Sequence, residues 1–464
     1  MLFTLFVRVV ILLSLIVVGV TNSCYSQLWQ DVGGGTSFNV RNFFNDTINN
    51  VLHVSGQFRY VNDTLETKGY AIWNGNQWLI PEAELDNYCV FANCQLINSV
   101  VVYNDTTYAS GIYGDLLWKN AGNQWVPTGY PNAPGRLSIA NDKLFFTGIF
   151  QNISDQAVAH ISVLESSEWI QFGEPLDFLP FHSVNGVIYY QGNYYFYGNF
   201  NLQNGLNEII LWNGSEWESL AGGITGNSWV NKTAVFQDLL FVGGYFFASD
   251  GNASDFLACW NGDEWLDPFP NVTFFAQVLD LYVSGEKLYI LAPFTFEGSD
   301  KYYAIGVFDG NEFCTIGGYG SFFDTEIDVA VGKIVVFDDN IIVSGKSLFG
   351  QSFPHISQLP LTTPFDTCIT VQSITSVSPR LTNSLSIFPN PTSSHLTLTG
   401  SALLPGSELK VYNVAGQQVY SEVLPYAHET HILDARRFGP AGMYLLHLNT
   451  PGHTPVVKKV VVQE

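Results

Sequence analysis

The sequence predicts an all-β protein in which one four-strand unit recurs through the middle of the chain and a smaller β domain follows it. Three observations predict this. Aromatics make up 15% of the 464 residues and charged residues only 13%, with 42 Gly and 20 Pro available for turns; so few charges beside so many turn-formers suit strands. A hairpin segment returns at a nearly constant interval. After Leu361 that interval stops and a different strand pattern begins.

The chain opens with Met1–Val20, almost wholly apolar around a single Arg8, followed by Thr21-Asn22-Ser23 and Cys24-Tyr25-Ser26. Charge, apolar run and small residues in that order make a secretory signal peptide, residues 1–26, cleaved after Ser26. An uncleaved anchor is the alternative, since twenty apolar residues suffice to span a bilayer. Cys24 also suggests a lipoprotein, although Thr21 stands where an aliphatic residue is expected.

The repeating region covers residues 27–361. Its hairpin segments are WNGNQW (73–78), KNAGNQW (119–125), LESSEW (164–169), WNGSEW (212–217), WNGDEW (260–265) and FDGNEF (308–313). They end on Trp78, Trp125, Trp169, Trp217, Trp265 and Phe313, at spacings of 47, 44, 48, 48 and 48 residues. A glycine mark runs in phase: SGQF, SGIY, TGIF, YGNF, GGYF, then the weaker APF and SGK. The second unit resolves into Ile97–Tyr103, Thr106–Ile112, Asp115–Lys119 and Gln124–Thr128, with Asn104-Asp105 as a tight hairpin pair. Four-strand repeats of 40–50 residues are propeller blades.

Seven glycine marks stand against six hairpin segments. The last unit yields Lys333–Asp338, Asn340–Lys346 and His355–Leu361, and lacks a fourth strand. The start of the mature chain, Leu28-Trp29-Gln30-Asp31-Val32, has the form of one (compare Trp217-Glu218-Ser219-Leu220), so Trp29 closes the last blade and no edge is left open. The count is therefore seven blades, with eight or six as alternatives. The repeats resemble kelch-like propellers in spacing more than in motif. The repeated aromatics are assigned to blade structure.

Residues 362–383 are Ser/Thr-rich with Pro364 and Pro379, and have the composition of a linker. Residues 384–464 carry the second β pattern. An apolar strand ends in Phe388-Pro389-Asn390-Pro391, where both prolines fix φ. Tyr412-Asn413-Val414-Ala415-Gly416-Gln417 is a hairpin, Gly442-Met443-Tyr444 starts a strand, and Val457-Lys458-Lys459-Val460-Val461-Val462 is the last one. In this order and at this end of the chain, these motifs resemble the type A sorting domain of type IX secretion in Bacteroidota. The resemblance implies an Ig-like β-sandwich whose motif residues are Pro389, Asn390, Pro391, Gly416, Gly442, Tyr444, Lys458 and Lys459. It also implies export across the outer membrane by the type IX machinery and removal by a sortase-like peptidase. The passenger is then released or attached at the surface, its sole membrane contact.

The net charge is −23, and residues 27–383 hold the whole deficit, with 12 basic against 36 acidic residues. Such a surface offers phosphates no cationic face and excludes nucleic acid as a partner. No catalytic constellation is apparent. Basic residues are too scarce to suggest an arginine cluster for a carboxylate substrate. His160 and His355 fall in matching strands, and Glu82, Glu84 and Asp86 lie in an irregular insert. No Cys/His spacing suits zinc and no cofactor is expected. Calcium is the one ion that the acidic surplus and the Asp250–Asp255 loop admit, although the loop lacks the full calcium spacing. Cys89 and Cys94 are candidates for a disulfide, and Cys259, Cys314 and Cys368 for small buried residues. Thr47, Thr64 and Thr106 fit a Bacteroidota O-glycosylation pattern. The expected function is a non-catalytic glycan- or protein-binding module at the cell surface. The alternative is a secreted carbohydrate-active enzyme with acids on the blade loops.

Overall fold

The computed structural model describes residues 29–463 apart from 82–96, 112–116, 129–134, 149–160, 177–181, 319–331, 372–385, 425–429, 451–455 and several stretches of one to three residues. The signal segment, Cys89, Cys94, Glu82, Glu84, Asp86, His160 and Pro389 thus lie outside the described residues. The chain divides into two compact units between Ser373 and Ile374. Apart from two single-turn 3-10 helices, the regular elements described are all strands.

In the first unit, six sheets each hold four antiparallel strands and a seventh is larger. The fourth sheet is typical: Ser183–Tyr190, Asn193–Asn201, Asn207–Trp212 and Trp217–Ser219 pair in sequence order. The first strands of the seven sheets are Val40–Asp46, Ile97–Tyr103, Gly135–Ala140, Ser183–Tyr190, Trp229–Phe236, Asp280–Ser284 and Ile334–Phe337. Each packs against the first strand of the next sheet, and the last packs against the first. A closed succession of four-stranded sheets is consistent with propeller blades.

Turn chemistry explains why these residues repeat. Asn104 and Asp105 have φ of 48° and 58°, and Asp338 and Asp339 have 48° and 58°, the paired positive values of a two-residue hairpin. In the outer hairpins an Asn or Asp side chain takes both following amides. Asn213 Oδ1 accepts from Ser215 N at 2.9 Å and Glu216 N at 3.0 Å. Asn74, Asn261 and Asp309 do the same in their own sheets. The following Gly214 sits at φ 99°, where a side chain would be strained. Across the turn, Trp212 and Trp217 meet at 5.0 Å and 56°; Trp73 and Trp78 at 5.2 Å and 55°; Trp260 and Trp265 at 5.3 Å and 54°.

In four sheets the outer tryptophan also latches its sheet to the one before it. Trp78 Nε1 donates to Gly33 O at 3.0 Å, Trp217 Nε1 to Glu174 O at 2.8 Å and Trp265 Nε1 to Leu220 O at 2.8 Å. Each acceptor lies just past the fourth strand of the preceding sheet. Trp29 makes the same bond, Nε1 to Gly317 O at 2.9 Å, just past the fourth strand of the sixth sheet. Gln30–Asp31 pairs with Ile356–Pro360 in the register Gln30↔Gln358 and Asp31↔Ser357. The fourth strand of the last sheet is thus the start of the described chain.

Two expectations need correction. Residues 362–383 are not a linker throughout, because Thr367–Thr370 pairs with Glu312–Thr315 as an additional strand on the sixth sheet. Thr367, Ile369 and Thr370 are β-branched, and the exposed edge of Glu312–Thr315 gives them a ladder to join. Cys314 and Cys368, opposite each other in that ladder, form a disulfide, with Cα atoms 4.0 Å apart. They are not independent buried residues. Cys259 is free and buried, and burial, helped by Asp267, pushes its thiol up to about 12.

The second unit has two sheets. One contains Ser386–Phe388, His395–Thr399 and Thr430–Asp434; the other contains Glu408–Asn413, Gln418–Val423, Gly442–Asn449 and Val456–Val462. Leu396, Leu398 and Leu433 of the first face Leu409, Val411, Tyr444, Leu446 and Val460 of the second in one core. Alternation produces this directly: Leu396 and Leu398 are buried while His395 is exposed.

Candidate functional site

The first strands of the seven sheets share a position that reads differently in each. In four of them the ladder shifts by one residue near its start, leaving Arg41, Asn98, Asn185 and Asn231 at the shift. The three asparagines reach the next sheet: Asn98 Nδ2 donates to Gly135 O at 2.7 Å, Asn185 Nδ2 to Val230 O at 2.9 Å and Asn231 Nδ2 to Val278 O at 2.8 Å. Among the described residues Arg41 makes no such bridge, and its buried Nε has no hydrogen-bond partner.

Three more cations occupy a common place one step along. Arg136 pairs with Thr147 and Lys232 with Gly243, the residues before the repeated Gly148 and Gly244. Lys333 is held the same way before Gly345, with Ser344 N donating to Lys333 O at 2.9 Å and Lys333 N to Ser344 Oγ at 2.9 Å. Arg41, Arg136, Lys232 and Lys333 come from the first, third, fifth and seventh sheets, and Asp280 from the sixth. Lys333 feels the charges of Asp280, Arg136, Lys232 and Arg41; Arg136 feels Arg41 and Asp280; and Lys232 feels Asp280 and Arg136. Side chains from alternate sheets of a closed succession meet only where they all face its centre.

Asp280 is 4% exposed. Its Oδ2 accepts from Ile334 N at 3.1 Å, joining the sixth sheet to the seventh, and its Oδ1 lies 3.8 Å from Lys232 Nζ. The Lys232 side chain keeps 40% of its exposure, so solvent reaches the centre. Burial opposes the Lys232 charge most strongly, but Asp280 together with Tyr197 and Tyr282 outweighs it and the amine is raised. Lys333 has no ion pair among the described residues. Burial pushes it down to about 8; Asp280 resists the fall, and Arg136, Lys232 and Arg41 deepen it. Burial also lowers Arg136, against the pull of Tyr197 and Asp280. Among the described residues, four cations around one carboxylate form an electropositive centre in a strongly acidic unit, suited to holding negative charge.

Sequence reasoning missed this cluster, because each cation stands alone in its own unit and only ring closure collects them. Their signal was present all the same, as residues that break the repeat on the first strand.

The other sequence candidates lie elsewhere. Trp29, Trp78 and Trp125 are buried, Phe313 is fully so, and Trp169, Trp217 and Trp265 are half-buried in the outer hairpins. In the Asp250–Asp255 loop the polar atoms bind the protein itself: Asp255 Oδ1 accepts from Ala248 N at 2.7 Å and Asn252 Oδ1 from Thr225 N at 2.9 Å. Among the described residues, the group with metal-like spacing is Glu312, Cys314 and Cys368, whose two sulfurs are joined as the disulfide. Thr47 and Thr64 are exposed at turns, and Thr106 is half-buried.

In the C-terminal unit the two halves of the sequence motif meet. Asn390 Oδ1 accepts from Val461 N at 2.9 Å and Asn390 Nδ2 donates to Lys459 O at 2.8 Å. Thr392 N then donates to Val461 O at 2.9 Å, so the turn at Asn390-Pro391, a cis peptide, is tied along the terminal strand. Lys458 and Lys459 are exposed on that strand. Tyr444 is 4% exposed, and its hydroxyl donates to Pro440 O at 2.6 Å. Gly416 turns the hairpin at φ 78°, and Gly442 opens the strand that carries Tyr444. A hollow of about 390 Å³ lies beside Gly416 and Tyr444, lined also by Tyr412, Met443 and His447.

Residues 386–463 match the family of the secretion system C-terminal sorting domain. The chain carries a type IX sorting domain. Such a domain sends its protein across the outer membrane to the surface or the medium, and the type IX machinery is the partner that handles it. Ahead of the sorting domain stands the large β-rich unit. The chain is similar, at 12% identity and a TM-score of 0.43, to the structure of PorZ, a surface component of the type IX secretion system of Porphyromonas gingivalis. That match covers 92% of this chain and 59% of PorZ, so the chain spans less than two thirds of PorZ's length. AztD from Citrobacter koseri is similar at 10% identity and a TM-score of 0.30, over 85% of this chain and 96% of AztD. Among curated proteins none matches.

Proposed function

We propose that the N-terminal unit is a seven-bladed β-propeller that acts as a non-catalytic binding module for a glycan or protein ligand once the sorting domain has delivered it. The observation that carries this is the closed succession of first strands, with Arg41, Arg136, Lys232 and Lys333 gathered at its centre. Propellers present ligand sites where their sheets converge, because there loops and first strands from every blade come within reach of one small molecule. Binding is favoured over catalysis by the character of Asp280. It is engaged by Lys232 and by the Ile334 amide, whereas glycoside hydrolysis needs two carboxyl groups flanking the bond.

The test is a glycan array with the full mature protein, with and without calcium, coupled to an assay for released reducing sugar. Retention of a defined glycan without release is the expected result. Turnover of the retained glycan would instead establish the carbohydrate-active enzyme.

A further inference from the structure

We propose that the centre of the ring is an oxyanion site, in which Arg41, Arg136, Lys232 and Lys333 receive the phosphate or carboxylate group of the ligand. The assignment rests on the propeller proposed above and names the chemistry its centre recognises.

The first ground is the charge imbalance. Residues 27–383 have 12 basic side chains to 36 acidic ones, yet four of the 12 meet at this one place and, among the described residues, the one carboxylate that accompanies them is Asp280. Folding has gathered like charges against their repulsion, and a compensating anion removes that conflict.

The second ground is unused hydrogen-bonding capacity. Among the described residues Arg41 Nε is buried without a partner, while the asparagines at the equivalent positions all bridge to the next sheet. A buried donor of this kind is costly unless a ligand completes it. Lys333 has no ion pair among the described residues. Asp280 is engaged by Lys232 and the Ile334 amide, so it neutralises one cation and leaves three.

Guanidinium forks match the two oxygens of a carboxylate or phosphate, and ammonium groups add point charge without demanding one geometry. The half-exposed Lys232 marks the open side from which such a group enters. The site also titrates. Lys333 faces Arg41, Arg136, Lys232 and Asp280 and falls to about 8, so anion affinity declines as pH rises through 8.

The experiment uses the full mature protein, titrated by calorimetry with inorganic phosphate, with glucuronate and with neutral glucose at pH 6.5 and pH 9.5. Saturable binding of phosphate or glucuronate at pH 6.5 is expected, weaker at pH 9.5 and absent with glucose. Arg41→Gln and Lys333→Gln should each weaken it by roughly tenfold or more, as the loss of one charged hydrogen bond requires. Thermal unfolding of both variants checks that they fold. Phosphate binding alone identifies the group as a phosphate, and glucuronate binding alone as a sugar carboxylate. Absence of saturable anion binding, or binding unchanged in both folded variants, overturns the proposal.

A short amine cross-linker, read by mass spectrometry, separates this failure from failure of the propeller itself. A Lys232–Lys333 link without anion binding leaves the ring intact and removes the site. Absence of the link overturns the convergence on which both depend.

Discussion

The outer hairpins and the ring centre are built from the same repeating unit and obey opposite rules. At the outer edge Asn74, Asn213, Asn261 and Asp309 make one turn four times over, and the Trp pairs behind them repeat to within a few degrees. At the centre, Arg41 stands in the first sheet where Asn98, Asn185 and Asn231 stand in three others, and one step along only the third, fifth and seventh sheets carry a cation, as Arg136, Lys232 and Lys333. Sameness follows where each sheet must solve one local problem, the tight turn and the contact with its neighbour. Difference is tolerated where seven sheets share one space, since a single set of side chains serves them all. The edge makes the fold, and the centre holds what is individual about it.

If that division is right, edge substitutions are felt in stability and centre substitutions in ligand binding. The largest effect is expected for Trp29→Ala. It removes a 7%-exposed indole and the bond to Gly317 that ties the last sheet to the sixth, and should cost about 3–5 kcal/mol in denaturant unfolding. Cys368→Ser opens the link between Cys314 and the strand Thr367–Thr370; calorimetry should show a loss of about 2–4 kcal/mol, mirrored in the wild type by reduction. Asn213→Ala leaves the amides of Ser215 and Glu216 without their acceptor at an exposed turn, at a cost of about 1 kcal/mol in the same measurement.

The smallest effect belongs to the centre and has the opposite sign. Lys333 has a lower pKa folded than unfolded, so between about 8 and its ordinary value the unfolded chain binds the extra proton. Its contribution therefore becomes less unfavourable as pH rises through that window. Lys333→Met should raise the melting temperature slightly at pH 7 and flatten its rise between pH 8 and 10. Destabilisation by this variant as large as that of Trp29→Ala would erase the distinction between edge and centre.

Much of the strand layout was legible because its cause is local. Ile97–Tyr103 falls where alternation and turn residues placed it. Trp29 was readable as a displaced fourth strand because it keeps the motif of Trp217. Thr367–Thr370 was hidden, since Ser/Thr-rich composition marks a linker and its partner edge lies far away in sequence. The disulfide was hidden with it: Cys314 and Cys368 become neighbours only once that ladder forms, 54 residues apart. Thr430–Asp434 was missed as well, for its neighbours Ile432 and Leu433 face opposite ways across a sheet that His395–Thr399 must first supply. The cation cluster lay furthest from view, because no pair of its members shares a sheet.

The pairing of Gln30 with Gln358 sets an order of events. The strand that completes the last sheet is among the earliest parts of the chain to emerge, and it must wait for a partner more than 300 residues behind it. Contacts of such span form late, since the intervening chain has to be organised before its ends can meet. Until then the sheet Ile334–Phe337, Asn340–Ser344 and Ile356–Pro360 has a bare margin open to strands of other molecules. A bulky tag fused beside Trp29 would prolong that vulnerable interval, and aggregation during production would be its symptom.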